Sequence, residues 1–144
     1  MTKRIWTPEL LRVWEMAREH AHRNLLENPE PLAYAETRQV GVAATRFRLG
    51  YWKGSLLNAL PSADSSEGQA LRRDLRSLGL IDHRGREFFA GCLTIPLESL
   101  DGTPGMVGRL MRTKTKGDSV YRNLPGQTRA FFNTKVIENH RDVI

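Results

Sequence analysis

Basic residues are concentrated in the C-terminal part of this 144-residue chain. Between positions 108 and 135, seven Lys and Arg residues accompany a single acidic residue, Asp118, while the rest of the chain carries 15 basic and 15 acidic residues. This segment therefore holds the whole formal net charge of +6, and Tyr121, Phe131 and Phe132 lie among its cations. Cations can bind phosphate groups, and aromatic rings can stack on bases. The segment predicts a surface that binds nucleic acid.

We predict nine residues as nucleic-acid contacts, all of them basic or aromatic. They are Arg48, Arg109, Arg112, Lys114, Lys116, Tyr121, Arg122, Arg129 and Lys135. Phosphate contacts by Lys and Arg release counterions and supply most of the affinity that does not depend on base sequence. We expect these side chains to converge on one concave wall that holds a sugar–phosphate strand.

The remaining candidate residues do not make a catalytic site. The glycines at 102–108 lie inside a predicted hairpin, and not between a strand and a helix as in a dinucleotide-binding loop. Cys92 falls within an apolar strand, so we expect a buried, inert thiol. Glu98 and Asp101 are the only candidate acidic pair for metal catalysis, and we expect them to shape a turn.

The histidines and the single cysteine also argue against a metal site within the chain. His20 and His22 are two positions apart on a predicted helix, which points them in opposite directions, so we expect solvent-facing or capping roles. One cysteine excludes an internal disulfide and a cysteine-based zinc site, and it favours a reducing compartment. Since no apolar run approaches the roughly 20 residues that span a bilayer, we expect a cytoplasmic protein.

The N-terminal part of the chain predicts helices. Thr7 followed by Pro8 is a helix-start signal, and apolar residues at steps of three and four extend this helix to about Leu26. We expect Pro29 and Pro31 to break it. Short helices are predicted at 32–38, 42–47 and 55–60, and a longer one at 68–79.

Strand signals follow the helices. An apolar run rich in β-forming residues at 88–96 is separated by turn residues from a second apolar run at 106–111, which predicts a hairpin. The fold class is therefore α+β, with N-terminal helices packed on a small, mostly antiparallel sheet. The length suits a single domain at 1–144.

Four strings of residues, in this order, resemble a known family. They are FRLGY at 47–51, FFAGCLTIPLESLDG at 88–102, VGRL at 107–110 and YRNLPGQTRAFFN at 121–133. They are similar to the N-terminal subdomain of the catalytic core of bacterial-type DNA primases. The likeness is closest to zinc-ribbon-containing primase-like proteins of mobile elements and plasmids. It covers the chain from about Leu10 onward.

The resemblance implies a role for particular residues. In the family this α+β subdomain forms one wall of a basic groove for the single-stranded template and the nascent RNA–DNA duplex. Arg109 matches the groove arginine of the family, and Arg129 matches the basic residue after a Leu-Pro-Gly turn. Tyr121 and Arg122 fall near a Lys-Tyr pair of the cellular enzymes.

The chain also departs from the cellular primases. Ala90 and Cys92 stand where those enzymes carry arginines just before the apolar strand. Part of their cationic wall is therefore missing here, or Arg84 and Arg86 supply it.

The resemblance implies the template- and primer-binding part of a protein that synthesises RNA primers in DNA replication. Its partners would be single-stranded DNA, an RNA–DNA hybrid and a replicative helicase. A full-length primase uses Zn²⁺ in its zinc ribbon and Mg²⁺ in its TOPRIM domain. We expect both domains, their cofactors and catalysis to lie outside these 144 residues.

Two alternatives have no catalytic role. The first is a stand-alone accessory protein that binds nucleic acid. The second is an interaction scaffold in which Trp6, Trp14 and the helix face would dock a helicase or another replication partner.

Overall fold

The computed structural model describes residues 6–37, 48–98, 102–111 and 121–125. Within these ranges three α-helices pack on one four-stranded antiparallel sheet with the strand order β1-β2-β3-β4, which confirms the predicted α+β class. The elements are α1 (Pro8–Glu27), α2 (Pro29–Thr37), β1 (Gly50–Tyr51), a 3₁₀ turn (Leu57–Ala59), α3 (Ser66–Leu78), β2 (Cys92–Glu98), β3 (Pro104–Leu110) and β4 (Tyr121–Asn123).

Helix α1 begins and ends close to the predicted positions. The Thr7 hydroxyl accepts a hydrogen bond from the Leu10 N–H at 3.1 Å, which satisfies one of the free donors of the first turn. The helix ends at Glu27 because Asn28 is extended, and Pro29 then starts α2. Proline is favourable at the first position of a helix, so the second helix begins earlier than predicted. The helix predicted at 42–47 lies outside the described residues.

Helix α3 is defined by a cap at each end. The Ser65 hydroxyl accepts a hydrogen bond from the Gly68 N–H at 2.9 Å, and Gly79 ends the helix with a left-handed backbone at φ 84°. This confirms the helix predicted at 68–79 and moves its start to Ser66. The helix predicted at 55–60 is only the 3₁₀ turn.

Strands β2 and β3 form the predicted hairpin, with Thr94 paired to Gly108. The first strand starts at Cys92, four residues later than predicted, because the residues before it form a turn. In that turn the Cys92 N–H donates to the Phe89 carbonyl at 2.9 Å, and Gly91 has a φ of 82°. The turn places the Phe89 ring in the core, where it is fully buried.

Each face of the sheet packs against α1 and one further helix. The face that contains Met106, here called the Met106 face, belongs to the larger core, which includes Trp14 of α1 and Leu75 of α3. The face that contains Val107, here called the Val107 face, belongs to a second cluster, which includes Leu25 of α1 and Leu32 of α2. Helix α2 thus brings its side chains to the Val107 face.

The two histidines of α1 differ from the prediction of solvent-facing positions. His22 is buried, and its Nδ1 lies 2.8 Å from the Leu49 carbonyl oxygen, so it connects α1 to the start of the sheet. His20 is half-buried with its Nε2 3.0 Å from the Ser55 hydroxyl. Burial, followed by the nearby charges of Arg23 and Lys53, lowers the pKa of His20.

Two negative findings apply to the described part of the chain. None of its helices combines the length and the apolar character that crossing a membrane requires. No three His, Cys, Asp or Glu side chains in these same ranges lie together in a way that could hold a metal ion.

Candidate nucleic-acid interface

Arg109 lies near the centre of the candidate interface. It is on β3, on the Val107 face, directly across from Tyr121 of β4. Its guanidinium carbon is 5.0 Å from the centre of the Tyr34 ring and 6.0 Å from the centre of the Tyr121 ring. Cations at these distances are attracted to the electron-rich ring faces. Two tyrosines from different elements therefore hold the Arg109 side chain.

A fourth residue, Asn123, shares this face. Successive side chains of a strand alternate between faces, so Tyr121 and Asn123 both lie on the side of Arg109. Asn123 is exposed, and 44% of Tyr121 is exposed. We call Arg109, Tyr34, Tyr121 and Asn123 the Arg109 cluster. It combines a guanidinium group, an exposed ring and an exposed amide at one position on the sheet.

The charge of Arg109 is not offset by a carboxylate within the described ranges. The ion pairs between described residues involve other arginines, such as Arg48 and Arg86. The side chain of Arg109 donates one hydrogen bond to a described residue, from Nη1 to the carbonyl oxygen of Leu110 at 3.3 Å. Guanidinium carries five N–H donors in a planar fork, a geometry that suits the oxygens of a phosphate.

Arg122 lies on the opposite face of the sheet from Arg109. It pairs with Gly108, one position away from the Arg109–Tyr121 pair, and strand alternation therefore turns it to the Met106 face. Its Nη1 donates to the Phe88 carbonyl at 2.9 Å, and its guanidinium carbon is 5.9 Å from the Phe88 ring centre. The expectation that Arg109 and Arg122 converge on one wall is wrong.

Arg48 lies at the other edge of the sheet. It directly precedes Leu49 and β1, whereas Tyr121 is on β4, and strands β2 and β3 separate the two. Its Nε is 3.4 Å from a Glu19 carboxylate oxygen, which offsets its charge. The structure therefore does not bring Arg48 into the Arg109 cluster.

Five of the nine predicted contact residues fall outside the described residues, and for them the prediction stands as it was made. They are Arg112, Lys114, Lys116, Arg129 and Lys135.

Arg84 and Arg86, which could replace the missing arginines of the cationic wall, belong to a turn that is closed on Asp82. Arg86 forms an ion pair with Asp82 at 3.5 Å. The backbone N–H groups of Arg84 and Arg86 donate to the same carboxylate, and these hydrogen bonds, first that of Arg86, lower the pKa of Asp82. The charge of Arg86 is thus partly offset.

Two other sequence-based expectations concern buried residues. Cys92 is fully buried, which agrees with a structural thiol. Trp14 is only 2% exposed, with the Trp6 ring edge-on against it at 5.6 Å between centroids. The idea that Trp14 docks a replication partner is therefore wrong, because the ring belongs to the core of this chain.

Sequence reasoning missed Tyr34 and Asn123. Tyr34 lies on α2, far from the basic segment, and no local pattern links it to Arg109. Asn123 immediately follows the predicted Tyr121 and Arg122, and strand alternation alone would have grouped it with Tyr121.

Solved primase structures share this fold. The Aquifex aeolicus primase, comprising zinc-binding and RNA polymerase domains, is 26% identical; the match covers 85% of this chain and 29% of that chain, with a TM-score of 0.55. A DnaG primase catalytic domain bound to ssDNA is 22% identical over 85% of this chain and 39% of that chain, with a TM-score of 0.59. The RNA polymerase domain of Mycobacterium tuberculosis primase DnaG in complex with double-stranded DNA is 23% identical over 84% of this chain and 39% of that chain, with a TM-score of 0.55. No protein-family model and no curated protein matches the chain.

The matched regions define how far the likeness extends. The chain spans 29% to 39% of the length of these solved chains, so it corresponds to one part of them. The helices packed on an antiparallel sheet agree with the primase resemblance of the sequence, which is confirmed. The chain has the fold of part of the catalytic core of bacterial DnaG primases.

Proposed function

We propose that the Arg109 cluster binds single-stranded nucleic acid, as the template- and primer-binding part of a primase-like protein. The observation that carries this proposal is that the Arg109 guanidinium carbon lies 5.0 Å and 6.0 Å from the centres of two tyrosine rings, one of which, Tyr121, is 44% exposed. The arrangement offers a fixed charge to a phosphate and a ring to a base.

The chemistry of the cluster fits a single strand better than a duplex. In a duplex the bases are stacked on each other, whereas an unpaired base is free to stack on an aromatic side chain. Such stacking contributes about 1–3 kcal/mol per base. Arg109 would supply the phosphate contact and Tyr121 the stacking surface, with the exposed Asn123 amide beside them.

Under this proposal, the chemistry of primer synthesis is carried out by other parts of a primase-like protein. Primer synthesis needs metal-binding acids, and the proposal assigns these, with Mg²⁺ and Zn²⁺, to other domains of a primase. An RNA–DNA hybrid and a replicative helicase would be the further partners. A stand-alone accessory protein would use the same cluster without catalysis.

The proposal is tested by titrating the chain into a fluorescein-labelled single-stranded DNA and following fluorescence anisotropy at several salt concentrations. Arg109→Ala should weaken binding and lower the slope of log affinity against log salt by about one unit or less, because one phosphate contact is lost. Tyr121→Ala should weaken binding with little change in slope, because stacking carries no charge.

Arg73→Ala is the matched control. It removes the same charge from an exposed position of α3, a helix that packs on the Met106 face. Its affinity should stay near that of the unchanged protein. Wild-type affinity and salt slope for Arg109→Ala would contradict the proposed function.

A further inference from the structure

We infer that Tyr34 is a positioning residue that holds Arg109 ready for a phosphate, an inference that rests on the proposed function of the Arg109 cluster. The Tyr34 ring is 5.0 Å from the guanidinium carbon, which is closer than the 6.0 Å of the Tyr121 ring. Tyr34 comes from α2, whereas Arg109 and Tyr121 come from the sheet. A residue of α2, which lies outside the basic segment at 108–135, therefore completes the site.

The two rings differ in how they can act. Tyr121 is on β4, the outermost strand of the described part of the sheet, and is 44% exposed, so a nucleotide can reach it. Tyr34 is partly buried and packs against the apolar cluster of the Val107 face, together with Leu32. A ring anchored in this way restricts the guanidinium without needing to touch the nucleic acid.

Restricting Arg109 should improve affinity because an ordered side chain loses less conformational entropy on binding. A free arginine side chain samples several rotamers, and part of this freedom is lost when it binds. A cation over an aromatic ring at a partly exposed site gains about 0.5–1 kcal/mol. The contribution of Tyr34 to affinity should thus be about two- to fivefold.

A double-mutant cycle of Tyr34→Leu and Arg109→Ala tests this inference by the same anisotropy titration with single-stranded DNA. Tyr34→Leu should weaken binding two- to fivefold in the presence of Arg109 and should have no effect when Arg109 is already Ala. Tyr34→Phe keeps the ring and should bind within about twofold of the unchanged protein. A loss that is the same in both backgrounds would overturn the inference.

Tyr51→Leu is the matched control for loss of a tyrosine from this region. Tyr51 packs against the same apolar cluster, and it pairs with Leu93, which in turn pairs with Arg109, so it lies two strands away from the arginine. It should lower thermal stability about as much as Tyr34→Leu while leaving affinity unchanged. Should Tyr34→Leu fail to fold, Tyr34→Met offers a longer, unbranched side chain that can adapt to the site, and it gives the same test.

The failures of the two proposals are distinguishable. If Arg109→Ala binds as well as the unchanged protein, the proposed function itself is wrong. If Arg109→Ala weakens binding and Tyr34→Leu does not, the function stands and the role of Tyr34 is overturned.

Discussion

Arg109 and Arg122 lie on opposite faces of the same sheet, although both were predicted to face nucleic acid. Tyr121 pairs with Arg109, and Arg122 pairs with Gly108, so the two arginines are one register position apart. Arg109 contacts two tyrosine rings, while Arg122 donates to the Phe88 carbonyl at 2.9 Å. Arg109 therefore lies against two tyrosine rings, whereas Arg122 connects β4 to the turn before β2.

Loss of Arg122 should affect stability more than binding. Arg122→Ala removes a charged hydrogen bond and a ring contact, and should lower the free energy of unfolding by about 1–2 kcal/mol. Urea denaturation measures this cost. Arg122→Lys keeps the charge and should still be destabilised, while its affinity for single-stranded DNA should remain close to that of the unchanged protein. A loss of affinity as large as that of Arg109→Ala would contradict the structural role.

Any side chain at position 108 should destabilise the sheet. A Cβ at Gly108 would lie 2.6 Å from Cδ1 of Phe89 and 3.0 Å from Cβ of Cys92, closer than packed carbon atoms approach. Gly108→Ala should therefore cost about 1–3 kcal/mol in urea denaturation, because the core must shift.

The Phe89 ring provides a control for this cost. Adding Phe89→Ala to Gly108→Ala removes Cδ1 and Cε1 of Phe89, so the double variant should lose less stability than the two single costs added together. Additive costs would show that the contact with Phe89 is not the cause.

The stability of the protein should depend on the hydrogen bond between the buried Trp52 indole and the Thr94 hydroxyl. Its Nε1–H donates to the Thr94 hydroxyl at 3.1 Å, and the two residues are each 1% exposed. Thr94→Val keeps the shape and removes the acceptor, so it should cost about 1–3 kcal/mol. Thr94→Ser keeps the hydroxyl and should cost less. Equal unfolding free energies for Val and Ser would argue against this hydrogen bond.

Glu87 should make stability depend on pH in the acid range. Burial raises the pKa of its carboxyl group, although hydrogen bonds from the backbone of Leu57 and Leu56 act in the opposite direction. A raised pKa means that the folded protein holds a proton that the unfolded chain has already lost. The stability contribution is full below the pKa of the unfolded chain and is lost as the pH rises through the folded pKa.

Glu87→Gln cannot ionise, and its amide oxygen can still accept the 3.1 Å hydrogen bond from the Leu56 N–H. The melting temperature of this variant minus that of the unchanged protein should therefore increase from about pH 4 to about pH 7. Glu98→Gln, at an exposed position, is the control. An equal difference in melting temperature at both ends of this range would contradict the prediction.

The features that could be predicted from the sequence are those that depend on residues a few positions apart in the chain. Thr7 and Ser65 cap their helices, and Gly79 ends one, because each acts within a few positions of itself. The hairpin is similarly local. The contact of Tyr34 with Arg109 depends instead on where α2 packs against the sheet, which no local signal encodes. The prediction that all these cations form one wall was wrong for Arg122 because it ignored strand register. One residue along β4 is enough to move a side chain to the other face of the sheet.

Strand β2 pairs with one strand that is close to it in sequence and with one that is far from it. Strand β3 follows it after one short connection, whereas β1 precedes it by the 3₁₀ turn and the whole of α3. Closing the longer loop costs more entropy, so the hairpin should form first and β1 should join it late. During synthesis on the ribosome, α1 and β1 emerge before the strand that receives them. The part of the apolar surface of α1 that packs on the sheet therefore stays accessible to chaperones until β2 has been translated.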